Sequence, residues 1–313
     1  MKSINFVLLG DYQIVSELGK KGTTSDIAIY DKKTSDAVYT WTAPITFPDK
    51  IQSLMQSINI AEYAILNVTK IDKYLGEQII ALDSVDFRDG FIIHSYEVDE
   101  AKLRTLIKNT SVSNFKFIDN LEQLKHEISG LEPKSRNYAS IPVMIPIDHV
   151  FDVKGVGTVI LGVIKQGTIK TYDQLKIIPL GKDVVVKSIQ MHDDPVPESQ
   201  SPARVGLGIK GITAEDISRG DILCTPGYLT SISSGNKVST KFTQNSFFKE
   251  DIGENQVYMI SIGLQIKPVK VKKMNDMIEI TPEKSIAYFS NQPFVLLKPD
   301  SRGIRIIGKG LLP

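Results

Sequence analysis

The apolar pattern of this sequence changes part-way along the chain, and this change limits the folds that the chain can adopt. In the first third, short apolar runs alternate with segments of helical periodicity, which predicts a largely parallel sheet covered by helices. From Pro142 onward, β-type runs follow one another between Gly, Pro and Asp residues at a spacing of roughly ten residues, a pattern typical of small barrels or sandwiches. We therefore expect an α/β domain followed by two β-rich domains.

Polar segments set the expected domain boundaries. One runs from Glu132 to Asn137, and another covers residues 231–240. They predict domains at residues 1–136, 137–228 and 229–313. In the first domain the pattern predicts strands at 4–9, 27–30, 37–41, 63–68 and 90–93, and helices at 50–60, 76–82, 100–108 and 121–128.

Composition and cysteine content are those of an ordinary globular protein. Hydrophobic residues make up 42% and charged residues 23% of the chain, and no apolar run approaches the roughly 18 residues of a membrane-spanning helix. Cys224 is the single cysteine, so an intramolecular disulfide is excluded and a cytoplasmic location is expected. Residues 228–313 carry 12 basic and 7 acidic side chains, a net charge of +5, which is compatible with an RNA or acidic protein partner.

A motif in the middle domain gives the most specific signal. Residues 145–159 read IPIDHVFDVKGVGTV and closely resemble the opening of domain two in translational GTPases of the elongation factor Tu and SelB type. Residues 305–310 are similar to the last strand of the third domain. The resemblance implies a degenerate P-loop-GTPase-like α/β domain followed by two β-barrels of the domain-two and domain-three type. Further segments resemble domain two in the same order, at Gly162, 167–169, 173–175, 186–191 and 217–223.

The phosphate-binding loop of that family is not preserved in the first domain. Such a loop needs G-x-x-x-x-G-K-[ST] between strand and helix, because glycines let backbone N–H groups approach the phosphates and lysine supplies charge. Residues 10–17 read GDYQIVSE, so only Gly10 matches, while Ser16 stands at the lysine position and Glu17 replaces the magnesium-binding hydroxyl. Residues 19–24, GKKGTT, do not fit the motif either, and we interpret them as a turn that ends a helix.

Two other nucleotide-binding motifs of the family are also altered. The family's Asp-Ala-Pro-Gly-His resembles residues 42–46, where Thr42, Ile45 and Thr46 stand in place of the carboxylate, the glycine and the histidine. The guanine-specifying Asn-Lys-x-Asp resembles residues 96–99, where only Asp99 remains. We therefore expect a pseudo-GTPase that has lost GTP and magnesium binding, with no cofactor, no catalytic residue and no metal site.

One ligand pocket of the family has its residues in this sequence. In selenocysteine-specific factors an aspartate–histidine pair and a later arginine recognise the esterified amino acid, and Asp148, His149 and Arg204 match these positions. A selenol is ionised at neutral pH, so Arg204 and a charged His149 would select it over a serine hydroxyl. Adjacent strand residues point to opposite faces, so the Asp–His pair shares a pocket only at a strand end or bulge. The alternative is an Asp–Arg surface pair, inherited without this use.

The basic run at 269–273, VKVKK, places Lys270 and Lys272 on one strand face. They are candidates for RNA phosphate contacts. The alternative is an exposed edge strand that charge protects against aggregation.

The leading hypothesis on function is a SelB-like translation factor paralogue that no longer hydrolyses GTP and binds tRNA, the ribosome or another translation component through its barrels. Membrane and DNA partners are not expected. SelB proteins carry a further C-terminal domain, whereas this sequence ends at Pro313, which weighs against delivery of selenocysteine to a recoded stop codon.

Two alternatives remain open at this point. The chain could be a divergent GTPase in which other carboxylates, such as Asp11, Glu17 and Asp72, act as replacement ligands. It could instead be a protein-interaction scaffold in which aromatic residues fill the emptied nucleotide cleft. The aromatic candidates are Tyr12, Trp41 and Tyr96.

Overall fold

The computed structural model describes residues 1–133, 141–254 and 256–313. Lys134–Asn137 of the predicted linker, and with them the predicted boundary at 136/137, lie outside the described residues. The chain forms two compact units. One comprises Met1–Pro133 together with Gln244–Lys249 and Leu297–Lys309, and the second comprises the remaining described residues.

An α/β domain makes up most of the first unit. Its strands and helices are β1 (Lys2–Gly10), β2 (Lys20–Thr24), β3 (Ala28–Lys33), β4 (Ala37–Ala43), α1 (Ile51–Ile60), β5 (Tyr63–Val68), α2 (Lys73–Ser84), β6 (Gly90–His94), α3 (Glu100–Ile107), β7 (Lys116–Ile118) and α4 (Leu121–Ser129), with 3₁₀ helices at Tyr12–Glu17 and Ser111–Asn114.

The seven strands form one sheet in the order β2-β3-β4-β1-β5-β6-β7. Neighbouring strands are parallel in the part β4-β1-β5-β6-β7. The strands β2 and β3 are antiparallel to each other, and β3 is antiparallel to β4. β1 is buried at seven consecutive positions because it lies inside the sheet with both faces covered. Trp41 of β4 stacks on Phe6 of β1 with ring centroids 5.7 Å apart. The predicted α/β architecture is thus confirmed, with a sheet that is mixed at one edge.

The interpretation of residues 19–24 as a turn ending a helix is wrong. Tyr12–Glu17 is a 3₁₀ helix, and Lys20–Thr24 is the edge strand β2. Its backbone pairs with β3, Lys20 opposite Asp31 and Lys21 opposite Tyr30. The glycines at 19 and 22 predict a turn locally, but pairing with an adjacent strand overrides that preference.

The second domain is a closed β-barrel. Six strands pair in a ring, β11-β16-β8-β9-β15-β12, and β12 pairs again with β11, while β13 extends the sheet beside β12. Alternate residues point inward to a core of Val, Ile and Leu side chains. The strands are β8 (Met144–Val153), β9 (Gly157–Val163), β10 (Thr168–Lys170), β11 (Gln174–Ile178), β12 (Lys182–Met191), β13 (Asp194–Val196), β14 (Glu198–Gln200), β15 (Arg204–Lys210) and β16 (Ile222–Cys224).

The third domain contains another closed six-stranded barrel, ordered β18-β21-β20-β19-β23-β24. The polar segment 231–240, expected to be a linker, contains the end of β17 and the start of β18, because its residues pair with β22 and β21. The strands are β17 (Thr230–Ile232), β18 (Val238–Gln244), β19 (Val257–Ile262), β20 (Gln265–Met274), β21 (Met277–Pro282), β22 (Ile286–Tyr288), β23 (Pro293–Leu297) and β24 (Ile306–Leu311).

None of the helices in the described part of the chain combines the length and the apolarity that crossing a membrane requires.

Candidate functional site

The connection that follows β1 occupies the position of a phosphate-binding loop, and its backbone groups bond within the protein. Gly10 has a φ of +78°, and the backbone oxygen of Asn67 approaches it so closely that a Cβ would lie 2.0 Å from that oxygen. The Asp11 N–H donates to the same Asn67 oxygen at 2.9 Å. Asp11 in turn caps the 3₁₀ helix by accepting the Gln13 N–H at 3.0 Å. Ser16 donates to the Gln13 carbonyl at 2.9 Å, and Glu17 is exposed.

Other helix starts beside the parallel strands are capped by side chains of this chain. Asp72 accepts the N–H groups of Tyr74 and Leu75 at the start of α2. Asp99, the one remaining residue of the guanine-reading motif, accepts the Lys102 N–H at 3.1 Å at the start of α3. A helix N-terminus binds phosphate through free N–H groups and its positive dipole end. A capping carboxylate uses these groups and adds negative charge, so these helix starts do not favour an anion.

The residues that replace the family's magnesium motif lie in or near the domain core. Thr42 is fully buried, and its hydroxyl donates to the Phe6 carbonyl at 3.0 Å. Ile45 and Thr46 are partly buried, and Thr46 donates to the Asp26 carbonyl at 3.4 Å. Within residues 1–133, 141–254 and 256–313, no group of three His, Cys, Asp or Glu residues is arranged to hold a metal ion.

The aromatic residues of the scaffold hypothesis lie in different environments. Trp41 is 1% exposed and belongs to the domain core, and Tyr12 packs partly buried against the same core. Tyr96 is 94% exposed. Tyr96 is therefore too exposed to fill a cleft. Trp41 is buried as part of the hydrophobic core of the domain.

The three residues predicted for an aminoacyl pocket come together in the first barrel. The β8–β9 register shifts between Ile147 and His149, which identifies a β-bulge at Asp148. His149 Nδ1 lies 2.6 Å from Asp148 Oδ1. Arg204, on β15, donates to the same carboxylate from Nη2 at 2.8 Å and from Nε at 3.3 Å. Adjacent residues of a strand normally point to opposite faces. The bulge removes this constraint and lets Asp148 and His149 meet in one cluster.

Burial distinguishes this cluster from a surface ion pair. The Asp148 side chain is 3% exposed, that of His149 16% and that of Arg204 17%. The Asp–Arg pair of the alternative is present, but it is largely buried and does not lie exposed on the surface. Burial by itself would raise the pKa of Asp148, but the charge of Arg204 and the hydrogen bond from His149 outweigh it and hold that pKa below its usual value. Asp148 is thus ionised at neutral pH.

The charges and hydrogen positions of the cluster determine what it can bind. An ionised carboxylate only accepts, so His149 Nδ1 carries the hydrogen of that bond and Nε2 is left to act on a ligand. His149 Nε2 is buried and has no hydrogen-bond partner among the described residues. The charge of Asp148 compensates that of Arg204, so the cluster is neutral with a neutral His149 and carries one positive charge with a protonated His149.

Two contributions of other parts of the chain were not predicted from the sequence. Arg219 donates from Nε to the Asp148 carbonyl at 2.9 Å and so fixes the bulge from another loop. In the first unit, Arg305 and Glu77 form a buried ion pair, with Arg305 Nε 3.0 Å from Glu77 Oε1 and Arg305 Nη1 2.6 Å from the Pro48 oxygen. The available sign of the second contact was Glu77, a charged residue among the apolar residues of α2.

The predicted RNA-contact lysines are exposed on one face of β20. β20 pairs with β19 on one side and β21 on the other. The edge-strand interpretation is therefore wrong for Lys270, which pairs with Val257 of β19 and with Thr281 of β21. Lys272 pairs with Glu279 of β21, beyond the end of the described pairing with β19. Lys272 Nζ lies 3.6 Å from the Glu254 carboxylate, and no shorter contact of its ammonium to an acidic group occurs in the described chain.

Comparison with known proteins agrees with this architecture. Residues 157–224 match the family model of elongation factor Tu domain 2. The uncharacterized protein MJ0325 of Methanocaldococcus jannaschii is 33% identical over 315 residues, which cover 100% of both chains. The selenocysteine-specific elongation factor of the same organism is 30% identical over 228 residues, 65% of this chain and 48% of that protein.

A crystal structure of translation elongation factor SelB from Methanococcus maripaludis, in complex with the GTP analogue GppNHp, has the same fold. Its TM-score is 0.83 at 22% sequence identity, and the match covers 100% of this chain and 79% of that chain. The full-length relative, the domain-two match and the shared fold agree. The chain belongs to the family of MJ0325 and is a SelB-like paralogue within the elongation factor Tu family.

Proposed function

We propose that this protein is a translation factor paralogue that does not hydrolyse GTP and that binds tRNA through its barrels, with the Asp148–His149–Arg204 cluster facing the aminoacyl end. One contrast carries the proposal. The cluster in the first barrel is assembled, and its buried His149 Nε2 has no hydrogen-bond partner among the described residues, whereas the helix starts of the α/β domain are capped by its own carboxylates.

The loss of GTP binding is supported by the chemistry of the loop after β1. Phosphate binding requires several backbone N–H groups turned toward one point and a lysine to supply charge. Here the Asp11 N–H bonds to Asn67, the Gln13 N–H bonds to Asp11, and Glu17 adds a negative charge. Hydrolysis would in addition require a ligand for magnesium at position 42, where the Thr42 hydroxyl is buried and bonded to a backbone carbonyl.

A tRNA partner is supported by the pocket and by the charge of the last domain. The relative with 30% identity is named a selenocysteine-specific elongation factor, and this chain has the residues that match an aminoacyl pocket in one bonded cluster. The net charge of +5 over residues 228–313 is of the sign that favours a phosphate backbone.

The first experiment is a calorimetric titration of the full chain with GTP and GDP in the presence of magnesium. We expect no binding into the millimolar range. Binding in the micromolar range would contradict the proposal and favour a divergent GTPase.

The second experiment measures binding of aminoacylated and deacylated tRNA at physiological salt. We expect His149→Ala to weaken the complex with aminoacylated tRNA by about tenfold, because a hydrogen bond to a buried group is lost. Binding of deacylated tRNA should not change. His126→Ala, in an exposed position of α4, is the matched control. Failure of the wild-type protein to bind either form of tRNA would overturn this part of the proposal.

A further inference from the structure

The first barrel exposes an aromatic ring on a strained stretch of backbone. Tyr172 lies in the turn between β10 and β11, is 77% exposed and has a φ of +72°. This left-handed conformation is unfavourable for a bulky side chain, whereas glycine adopts it without steric cost. Packing does not compensate for the strain, because most of the ring is in solvent. Strain that folding does not need points to a functional role for the side chain.

The backbone of this turn is held by two neighbouring segments. The Tyr172 N–H donates to the Val186 carbonyl of β12 at 2.8 Å, and the Val186 N–H donates to the Asp173 carbonyl at 3.1 Å. On the other side of the turn, the Thr171 N–H donates to the Pro197 carbonyl at 3.0 Å. A ring presented from a fixed backbone loses little conformational freedom when it binds a ligand.

Two exposed lysines lie on the strands beside this turn. Lys187 is the extra residue at the bulge of β12, and Lys210 is at the end of β15 opposite Val185. Val185 is in turn opposite Gln174 of β11, the second residue after Tyr172. Since neighbouring strands are about 4.8 Å apart, Lys210 lies about 10 Å from Gln174 across β12. Both lysines can therefore reach a ligand that covers the ring.

The charge of these two lysines is not used within the barrel. Neither forms an ion pair in the part of the chain that the structure describes. Nearby carboxylates have other partners, since Glu198 pairs with Lys170 at 3.2 Å and Asp183 pairs with Lys176 at 3.1 Å. Asp173 accepts the Lys170 N–H at 2.7 Å. Counting the charge of Asp173 against the two lysines leaves this surface with one net positive charge.

A flat ring beside free ammonium groups suits a ligand with a flat face and a negative charge. A nucleotide has both, because its base stacks on an aromatic side chain while its phosphate contacts a lysine. Only an unpaired base offers its face to a protein, so the ligand is a single strand. A protein partner fits less well. The core of a protein interface is depleted in lysine, and the neighbours of the ring, Thr171, Asp173 and Gln174, are polar.

We propose that this surface binds single-stranded RNA, with one unpaired base stacked on Tyr172 and the adjoining phosphates bound by Lys187 and Lys210. Stacking supplies affinity with little sequence preference, because every base has a flat face. The phosphate contacts make the affinity depend on salt.

This RNA surface is separate from the Asp148–His149–Arg204 cluster. Arg204 and Lys210 are at opposite ends of β15, which places them about 20 Å apart along an extended strand. Single-stranded RNA carries no amino acid, so its binding does not depend on the recognition of an aminoacyl end. Failure of one proposal therefore leaves the other open to its own test.

The test is fluorescence anisotropy with the full chain and a labelled single-stranded RNA of about eight nucleotides, within the usual site sizes of small barrels. We expect Tyr172→Gly to weaken binding by about tenfold, the effect of losing one stacked base, and Tyr172→Phe to preserve it. Tyr172→Gly also relieves the backbone strain and should not lower the midpoint of thermal unfolding. Tyr96→Ala removes another exposed ring, in the α/β unit, and should not change RNA binding.

The role of the lysines is tested through salt. Lys187→Gln should reduce the slope of log K against log salt by about 0.7, the value for one phosphate of a single strand. Lys125→Gln, which removes a lysine paired with Glu122, should leave the slope unchanged.

A duplex RNA of the same sequence should bind more weakly than the single strand, because its bases are stacked on each other. The proposal is overturned if the single strand does not bind at physiological salt, or if the duplex binds equally well. Equal RNA binding by the wild type and Tyr172→Gly would also overturn it and would assign the exposed ring to a protein partner.

Discussion

At the scale of single residues, two buried aspartates of the barrels are in opposite electrostatic situations. Asp148 has a charged partner, Arg204, and two hydrogen bonds from it, so its pKa lies below the usual value. Asp221 is also buried, but burial raises its pKa, and its nearest cation, Lys267, is 3.8 Å away. The same side chain therefore stabilises the folded state in one position and costs free energy when ionised in the other.

The difference predicts unequal effects of the same substitution. At neutral pH, Asp148→Asn should lower the free energy of unfolding by about 3 kcal/mol, because it leaves Arg204 largely buried without a counter-charge. Asp221→Asn should not lower it, since an amide can still accept the Ser218 N–H and the cost of burying the ionised carboxylate is removed. Urea unfolding of the two variants and the wild type measures both values. Equal losses would contradict the assignment.

The pH dependence follows from the direction of each shift. Asp148 has a lowered pKa in the folded state, so its stabilisation is present above the unfolded value of about 3.9 and is lost as the pH falls through the folded pKa. The raised pKa of Asp221 has the opposite sign: its contribution is present at low pH and is lost as the pH rises through that pKa. In acid, the stability difference between wild type and Asp148→Asn should therefore shrink.

At the scale of elements, the junction of β1 and β5 explains why the first domain has an altered nucleotide loop. The end of β5 approaches Gly10 so closely that its backbone oxygen bonds the next N–H of the chain. In a phosphate-binding loop these N–H groups turn toward the ligand. Here the Asp11 N–H bonds to the backbone oxygen of Asn67, at the end of β5, where a phosphate-binding loop would bond its ligand.

Gly10 should therefore tolerate no side chain. Gly10→Ala combines a φ of +78° with a Cβ 2.0 Å from the Asn67 oxygen, and we expect a loss of about 3 kcal/mol in stability. Gly155→Ala is the matched control, because its φ of +82° imposes a similar strain while nothing lies within 4 Å of the new Cβ. It should cost about 1 kcal/mol. Thermal unfolding followed by circular dichroism compares the two, and similar losses would show that the contact with β5 is unimportant.

At the scale of the whole molecule, charge is unevenly distributed, and the last domain carries the basic surplus. The exposed lysines of β20 both pair with β21, and Lys270 also pairs with β19. Their side chains are therefore presented from a rigid surface. Such lysines act on nucleic acid through phosphates, which makes binding depend on salt and hardly on sequence.

The prediction at this scale concerns the salt dependence of tRNA binding. Lys270→Gln and Lys272→Gln should each lower the slope of log K against log salt by about one, as expected when a phosphate contact is removed. Lys125→Gln in α4, which removes a lysine paired with Glu122, is the control and should leave the slope unchanged. An unchanged slope in the β20 variants would place the RNA-binding face elsewhere.

Much of the architecture was predictable from the sequence, because periodicity is a local property of the chain. The apolar runs of β1 and β5 and the helical spacing of α1 and α4 identify an α/β domain, and the regular strands after Pro142 identify barrels. The altered phosphate loop at residues 10–17 was also visible, since each required residue type has a fixed position in the motif.

Features that depend on residues far apart in the sequence became visible only in the tertiary structure. Strand β2 forms because β3 pairs with it, against the local turn signal of its glycines. The Asp148 bulge is fixed by Arg204 and Arg219, 56 and 71 residues away, and Glu77 meets Arg305 across 228 residues. Local sequence determines the elements, whereas burial and charge pairing are properties of positions that only the folded chain brings together.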